Sequence, residues 1–279
     1  FGVSASSFGQ INLPIFQDSL GYSGNFIELD ETIDYHSTSI KNDLSKTFIW
    51  GGEIDQSMKE RSFNKHTNIN RLGFYNTNEL RYLHLSKPFL GNDACGWGLK
   101  VGYYAAGSVS YNKDLFGLLM FGNSGYLDQT ADFSNTYSQF MLFQKVGFGF
   151  ISRKTKSSLF LNVINVQQAF KATVEKGELT QNADGTNIDV MIDGEFAFTE
   201  GTDFSQGLGL SIDGDIRFKT PWFKDTKAPF SLSINNMGAV YMYNGMSKYV
   251  VDSSYNYSGF TVSQLANSAA TFGSDFDIF

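Results

Sequence analysis

The sequence predicts an all-β chain, an antiparallel up-and-down transmembrane β-barrel. Three observations lead there. Long stretches alternate apolar and polar residues with a period of two, turn dipeptides separate those stretches, and the face opposite the apolar one carries charge at mid-strand. In "GLGLSIDGDIRFK" (207–219), Leu208, Leu210, Ile212, Ile216 and Phe218 share one face, while Ser211, Asp213, Asp215 and Arg217 share the other. The apolar face of such a strand meets the core in a soluble sandwich and lipid in a barrel. The runs extend over about 10–14 residues, against the ~5–6 usual in soluble sheets, and a spanning strand needs ~9–11. The barrel reading is therefore preferred to a soluble β-sandwich adhesin or binding module.

Along the first ninety residues, "TFIWGGEID" and "NINRLGFYNTNELRYLHL" read as strands joined by the hydrophilic "DQSMKERSFNKHTN". Trp97, Leu99, Val101, Tyr103 and Ala105 then alternate with Gly98, Lys100, Gly102 and Tyr104. The segment "KDLFGLLMFG" (113–122) is a short amphipathic helix and loop, with Leu115, Phe116, Leu118, Leu119 and Phe121 apolar. It is about half the ~20 residues of a spanning helix and suits a plug in the barrel or an interface segment. Val146, Phe148 and Phe150 oppose Lys145, Gly147 and Gly149; the basic turn "RKTKS" leads to Leu159, Leu161 and Val163, and "AFKATVEKGEL" reads as a further strand. After the Asp184-Gly185 turn, Ile188, Val190, Ile192, Phe196 and Phe198 oppose Asp189, Asp193 and Glu195. Asn244-Gly245 reads as another hairpin, and the whole forms one domain, 1–279, of about 12–14 strands.

In barrel terms, Asp189, Asp193, Glu195, Asp213, Asp215 and Arg217 line a polar lumen, and Ile188, Val190, Ile192, Leu208, Leu210, Ile212, Ile216 and Phe218 face lipid. Replacing Ile212 with Arg is expected to impair membrane assembly, and Asp213→Asn to be tolerated. Aromatics gather at strand ends, as in Phe196/Phe198, Phe218/Trp222/Phe223, Tyr241/Tyr243 and Tyr255/Tyr257, the pattern of interfacial belts.

Composition narrows the function classes. Charged residues make up 18% of the chain, below the ~25% of soluble domains, while it holds 27 Phe and 28 Gly. A net charge of -7 argues against nucleic acid as partner. The single cysteine, Cys95, has no internal disulfide partner. His84-Leu85-Ser86 places a histidine and a serine on one strand face, the raw material of a nucleophile and its base, but it also suits a polar strand end before Pro88. His36 and His66 have no spaced partners, so no metal site is assigned. "NADGTN" is explained by its turn, and the glycines of "GLGLSIDG" lie within a strand and cradle no phosphate. No catalytic residue and no cofactor are assigned.

"SVSYNKDLFGLLMFGNSGYLDQTADFS" (108–134), "KVGFGFISRKTKSSLFLNVIN" (145–165), "SINNMGAVYMYN" (233–244) and "YSGFTVSQL" (257–265), with "WGGEIDQSMKERSFN" and "NRLGFYNTNELRY", resemble a family of Bacteroidota outer-membrane β-barrel proteins without an assigned activity. The resemblance covers most of the chain and implies distant kinship with fatty-acid-channel and PorV-like barrels. It implies a signal peptide, absent here, and a location in the bacterial outer membrane. "TFGSDFDIF" makes a poor closing strand, so closing C-terminal strands are expected to be missing from this chain. Expected partners are outer-membrane lipid or lipopolysaccharide and other outer-membrane or periplasmic proteins. The expected role is a non-enzymatic accessory or structural subunit of a secretion or barrel-assembly complex. A channel or transporter for a small, hydrophobic solute is the alternative.

Overall fold

A computed structural model describes residues 24–155, 157–200, 203–219 and 229–257. Ten strands form one sheet, and three helices sit at one end of it. The chain runs through β1 (Asn25–Ser37), α1 (Asn42–Trp50), α2 (Gln56–Phe63), β2 (Asn70–His84), β3 (Cys95–Tyr111), α3 (Lys113–Phe121), β4 (Gln129–Asp132), β5 (Thr136–Ser152) and β6 (Ser158–Gln181). β1, β2, β3, β5 and β6 are antiparallel neighbours in that order, and β4 borders the far end of β6.

Beyond β6 the sheet divides lengthwise. The first half of β6 pairs with β8 (Gly207–Lys219) and its second half with β7 (Ile188–Phe198), both in the same sense. β7 and β8 are thus one long strand interrupted at 199–206. β9 (Pro229–Tyr241) borders β8 and β10 (Ser247–Tyr257) borders β7, which repeats the arrangement one column further out. Three expectations are corrected here. "TFIWGGEID" forms no strand, since residues 47–50 close α1, and the hydrophilic stretch after it contains α2. "AFKATVEKGEL" is no separate strand but the second half of the 24-residue β6, kept in register by bulges against β5 and β7. Asn244-Gly245 closes no hairpin, because β9 and β10 pair with different strands; Asn244 instead donates to the carbonyl of Ser205 and to Oε1 of Gln206. Asp184-Gly185 does turn the β6–β7 hairpin, with Gly185 at φ 72 and the Asp184 carboxylate accepting from Thr186.

Among the described residues the sheet is open rather than a closed barrel, with ten strands where 12–14 were expected. No described strand joins β1 to β9 or β10. Six successive antiparallel pairings separate β1 from β9, so the two edges run in the same sense. The sheet is nonetheless strongly curled. Asn236 of β9 donates to the hydroxyl of Tyr75 on β2 at 2.6 Å, although β3, β5, β6 and β8 lie between them in the sheet.

Burial on this curled sheet is inverted. Around β2, β3, β5, the first half of β6 and β8 the concave face carries charges and glycines and is buried, whereas on β7 and β10 it is open; the convex face is aliphatic and exposed: Val146 57%, Leu161 60% and Leu210 69%. Small residues make the filled interior possible. A Cβ on Gly149 would lie 2.4 Å from the Phe160 ring, and one on Gly147 would lie 2.2 Å from Oδ1 of Asn162. Glycine at these two sites makes room for side chains from the next strand.

Toward the upper end of β2 and β3 the parity of burial reverses, and Gly107 and Tyr111, on the convex face, become buried. The helices are the cause. Leu44 of α1, Phe116 of α3 and Tyr111 form a cluster with Met58, Phe63, Leu72 and Val109 packed against it, so the helical cap lies on the outside of the sheet. Asp55 caps α2 by accepting from the N–H of Met58, and Asn112 caps α3 by accepting from that of Leu115. The expected plug is therefore corrected: Phe116 is buried in this outer cluster, Leu115, Leu118 and Phe121 are half-buried, and Leu119 is exposed.

His66 ties the cap to the sheet. Its ring stacks on Phe116 at 4.0 Å, with Nδ1 against the carbonyl of Ser62 and Nε2 against the hydroxyl of Tyr111 at 3.0 Å. Burial is the main cause that holds this imidazole below the ordinary value of 6.5. The unfolded cap takes up a proton at that ordinary value and the folded cap only at lower pH, so cap stability is full above 6.5 and declines as the pH falls below it. Amide exchange over 41–66, corrected for intrinsic rates, is expected to speed up on acidification, and the His66→Gln variant is expected to lose that pH dependence.

Candidate functional site

The chemistry of the chain concentrates inside the curl. Strand alternation puts Lys100 of β3, Lys145 of β5, Glu79 and Arg81 of β2, Glu28 of β1 and Asp213 of β8 on the concave face, at nearly one level. Asp213 is the hub. Its Oδ2 accepts from both Lys100 and Lys145, the latter at 2.7 Å, and its Oδ1 accepts from the backbone N–H of Asn236 at 2.6 Å. Asn236, at φ 56 in a β9 bulge, also accepts from Lys145 at 2.7 Å. Glu79 accepts from the Tyr104 hydroxyl and from Arg81, and stands 3.6 Å from Lys100. Arg81 reaches on to Glu28 at 3.4 Å.

Three cations thus meet three carboxylates, and the cluster is neutral when all are ionised. Lys145 is 2% exposed, Glu79 4%, and Lys100 and Asp213 6% each. Aromatic faces complete the lysines' surroundings, with Lys145 over Tyr104 at 4.4 Å and Lys100 over Phe160 at 4.9 Å. Apolar layers close the cluster from both ends. Leu83, Leu85, Ile151 and Phe160 pack on one side, and Tyr104, Phe143, Ile164 and Val166 with Tyr75, Met141 and Val240 pack on the other. The interior at this level is a filled cross-section held by ion pairs.

The expected lumen residues separate into distinct places. Asp213 is the hub, and Asp215 lies on the same face with Arg217 at 3.6 Å. Asp189, Asp193 and Glu195 sit higher, on β7, where Asp189 accepts from Asn256 at 2.5 Å and Glu195 pairs with Lys248 at 2.7 Å. Asp193 faces Asp252 across the β7–β10 ladder. The expected tolerance of Asp213→Asn is corrected, because this carboxylate is enclosed between two buried ammonium groups. Sequence reading put Lys100, Tyr104 and Lys145 on the polar face but did not single them out, and it missed Glu28, Glu79, Arg81, Tyr75 and Asn236. A usable signal was a lone lysine near glycines on the polar face of an apolar strand, as in "GLKVG" and "QKVGFG".

On the convex face Leu208, Leu210, Ile212 and Ile216 are exposed, and Ile188, Val190 and Ile192 are half-buried; the side chain of Phe218, with Trp222 and Phe223, lies outside the described residues. The apolar band has edges. Below it Tyr82, His84, Trp97, Phe148, Phe150 and Phe89 form a continuous ring cluster, and above it Glu31, Asn78, Tyr103, Gln144 and Asn165 stand in one line of register. Among the described residues no group of histidine, cysteine and carboxylate side chains could hold a metal ion, and no helix is long and apolar enough to cross a membrane.

No family model, curated protein or solved structure matches this chain.

Removing the hub leaves two buried cations uncompensated, which is expected to cost about 3–5 kcal/mol. Denaturant titration in detergent is expected to show that loss for Asp213→Ala and most of it for Asp213→Asn. Pairing Asp213→Asn with Lys145→Met is expected to recover part of it.

Proposed function

We propose that this chain forms the wall of an outer-membrane β-barrel whose interior is stoppered by its own side chains, and that it serves as a non-conducting accessory or structural subunit of a larger outer-membrane assembly. One observation carries the reading: on the strands around Asp213 the aliphatic face is outside and the charged face is buried. Water makes that arrangement unfavourable, and lipid reverses the sign, because apolar side chains then meet hydrocarbon and the ion pairs stay out of it. The exposed apolar run on β8, from Leu208 to Ile216, corresponds to roughly 20–25 Å along the membrane normal at ~3.3 Å per residue and a ~40° tilt. That matches the ~25 Å apolar band of such barrels. The aromatic edge below it suits a membrane–water boundary.

The connections favour one orientation in the membrane. The lower end carries the links 85–94 and 153–157, and the upper end carries the helical cap at 38–69 and 112–135 together with the short turn 182–187. Short turns face the periplasm in this class of barrel and long connections face outward, which favours a cap on the outer side of the membrane. Because β1 and β9 run in the same sense, antiparallel closure of a barrel requires an odd number of further strands between them.

The filled cross-section around Asp213 favours an accessory role over a conduit. The polar inner residues of β7 and β10 above it, among them Asp193, Glu195, Lys248 and Asp252, favour a second reading, a gated conduit with a vestibule.

The test uses the full chain purified in mild detergent. Heat-modifiable gel mobility and absence of single-channel conductance are expected, with partner proteins co-purifying at fixed stoichiometry. Ile212→Arg is expected to impair assembly by ~2–4 kcal/mol per mid-bilayer charge. Extraction of folded protein without detergent would sink the membrane reading, and steady conductance by the lone barrel would replace the accessory role with the conduit.

A further inference from the structure

Four polar groups stand together at the lower edge of the convex face, where the reading above places the membrane boundary. Strand alternation puts Tyr82 and His84 on that face, register places Asn25 of β1 opposite His84, and Ser86 follows in the bend just past the end of β2. Nδ1 of His84 is 3.4 Å from the Tyr82 hydroxyl, and its Nε2 is 3.4 Å from Oγ of Ser86. Ser86 also donates to Oδ1 of Asn25 at 3.0 Å. The His84 ring stacks on Trp97 at 5.2 Å, and Trp97 stacks in turn on Phe148 at 6.2 Å. Ser86 is exposed and His84 half-buried, so a hydroxyl stands open beside an oriented imidazole.

We propose that Ser86 and His84 form a serine esterase site that acts on acyl esters of membrane lipids. The inference rests on the membrane reading for its substrate, since ester carbonyls lie at the headgroup boundary, where aromatic belts sit. Geometry supplies the roles. When Nδ1–H of His84 donates to Tyr82, the lone pair of Nε2 faces Ser86, which is the tautomer a general base needs. Catalytic hydrogen bonds are commonly long before substrate binds, and rotation about Cβ–Oγ turns the serine proton from Asn25 to His84.

The reaction balances without a cofactor. Oγ of Ser86 bonds to the acyl carbon as its proton passes to Nε2, the bond to the lipid alcohol breaks, and that alcohol leaves with the proton. Water then attacks the acyl-serine and gives a proton to Nε2, which returns it to Oγ as the fatty acid departs. Asn25 presents its acceptor Oδ1 to Oγ in the resting site, and a half-turn of the carboxamide once the serine proton has left brings Nδ2–H to the carbonyl oxygen as a donor. Tyr82 is a positioning residue.

The test treats the full chain in detergent with a long-chain alkyl fluorophosphonate, maps the adduct by mass spectrometry, and records heat-modifiable mobility on the same sample. The expected result is an adduct on Ser86, none with Ser86→Ala, and labelling at least ~100-fold slower with His84→Gln. Mixed micelles of dioleoylphosphatidylethanolamine should release oleate with the same dependence on both residues. An unlabelled Ser86 in a sample with intact heat-modifiable mobility overturns the esterase site and leaves the barrel reading standing. Labelling of a chain that is folded and soluble without detergent supports the nucleophile but overturns the lipid substrate.

Discussion

The Asp213 carboxylate, held between the ammonium groups of Lys100 and Lys145, is the interaction on which the rest of the structure depends. It links β8 to β3 and β5 through the interior, and Asn236 extends the link to β9 and to Tyr75 of β2. Backbone ladders join only neighbouring strands. The curl that brings β2 within hydrogen-bond reach of β9 is fixed by side chains crossing the concave face, and these converge on one charge. A buried ion cluster of this kind adds little net stability over an apolar core of equal volume, yet it is strict about geometry, since each lost partner leaves a charge stranded. Its contribution is a defined curvature for a sheet that the described strands leave open.

From that cluster the two faces follow. With charges, amides and glycines committed to the inside, the alternation of each strand delivers its aliphatic residues outward. The convex surface becomes a band of Leu, Ile and Val between an aromatic edge and a line of amide side chains. The helices respect this division. They cover the convex face above the amide line, where Tyr111, Leu72 and Val109 need shelter, and leave the band bare. A band of this kind is continuous across β3, β5, β6 and β8, and under the proposed membrane setting the β8 run has the length of the apolar layer of a bilayer.

Much of this was legible in the sequence because a period of two writes both faces of a strand into the chain. The alternation in 208–216 marked the exposed and the covered side of β8, and the Asp184-Gly185 turn marked a true hairpin. What sequence could not carry was everything decided by pairing between distant segments. Asn244-Gly245 has the composition of a hairpin turn, but β10 continues past β9 because β7 and β8 already form an interrupted column beside β6. The same limit applies to the site. Lys100, Lys145 and Asp213 are far apart in the chain, and only closure of the curl brings them together. The apolar helix at 113–121 showed its amphipathic character, but nothing local states which side of the sheet it covers.

The central claim is that the convex face meets lipid while the concave face is sealed, and nitroxide accessibility along β6 tests it most directly. Single-cysteine variants Leu161→Cys, Asn162→Cys, Val163→Cys and Ile164→Cys, made with Cys95→Ser and reconstituted in phospholipid vesicles, would be probed with oxygen and with a water-soluble nickel complex. Labels at 161 and 163 are expected to collide with oxygen and be shielded from nickel, with those at 162 and 164 protected from both. Free access of nickel to 161 and 163 would contradict the claim, because the aliphatic face would then be facing water.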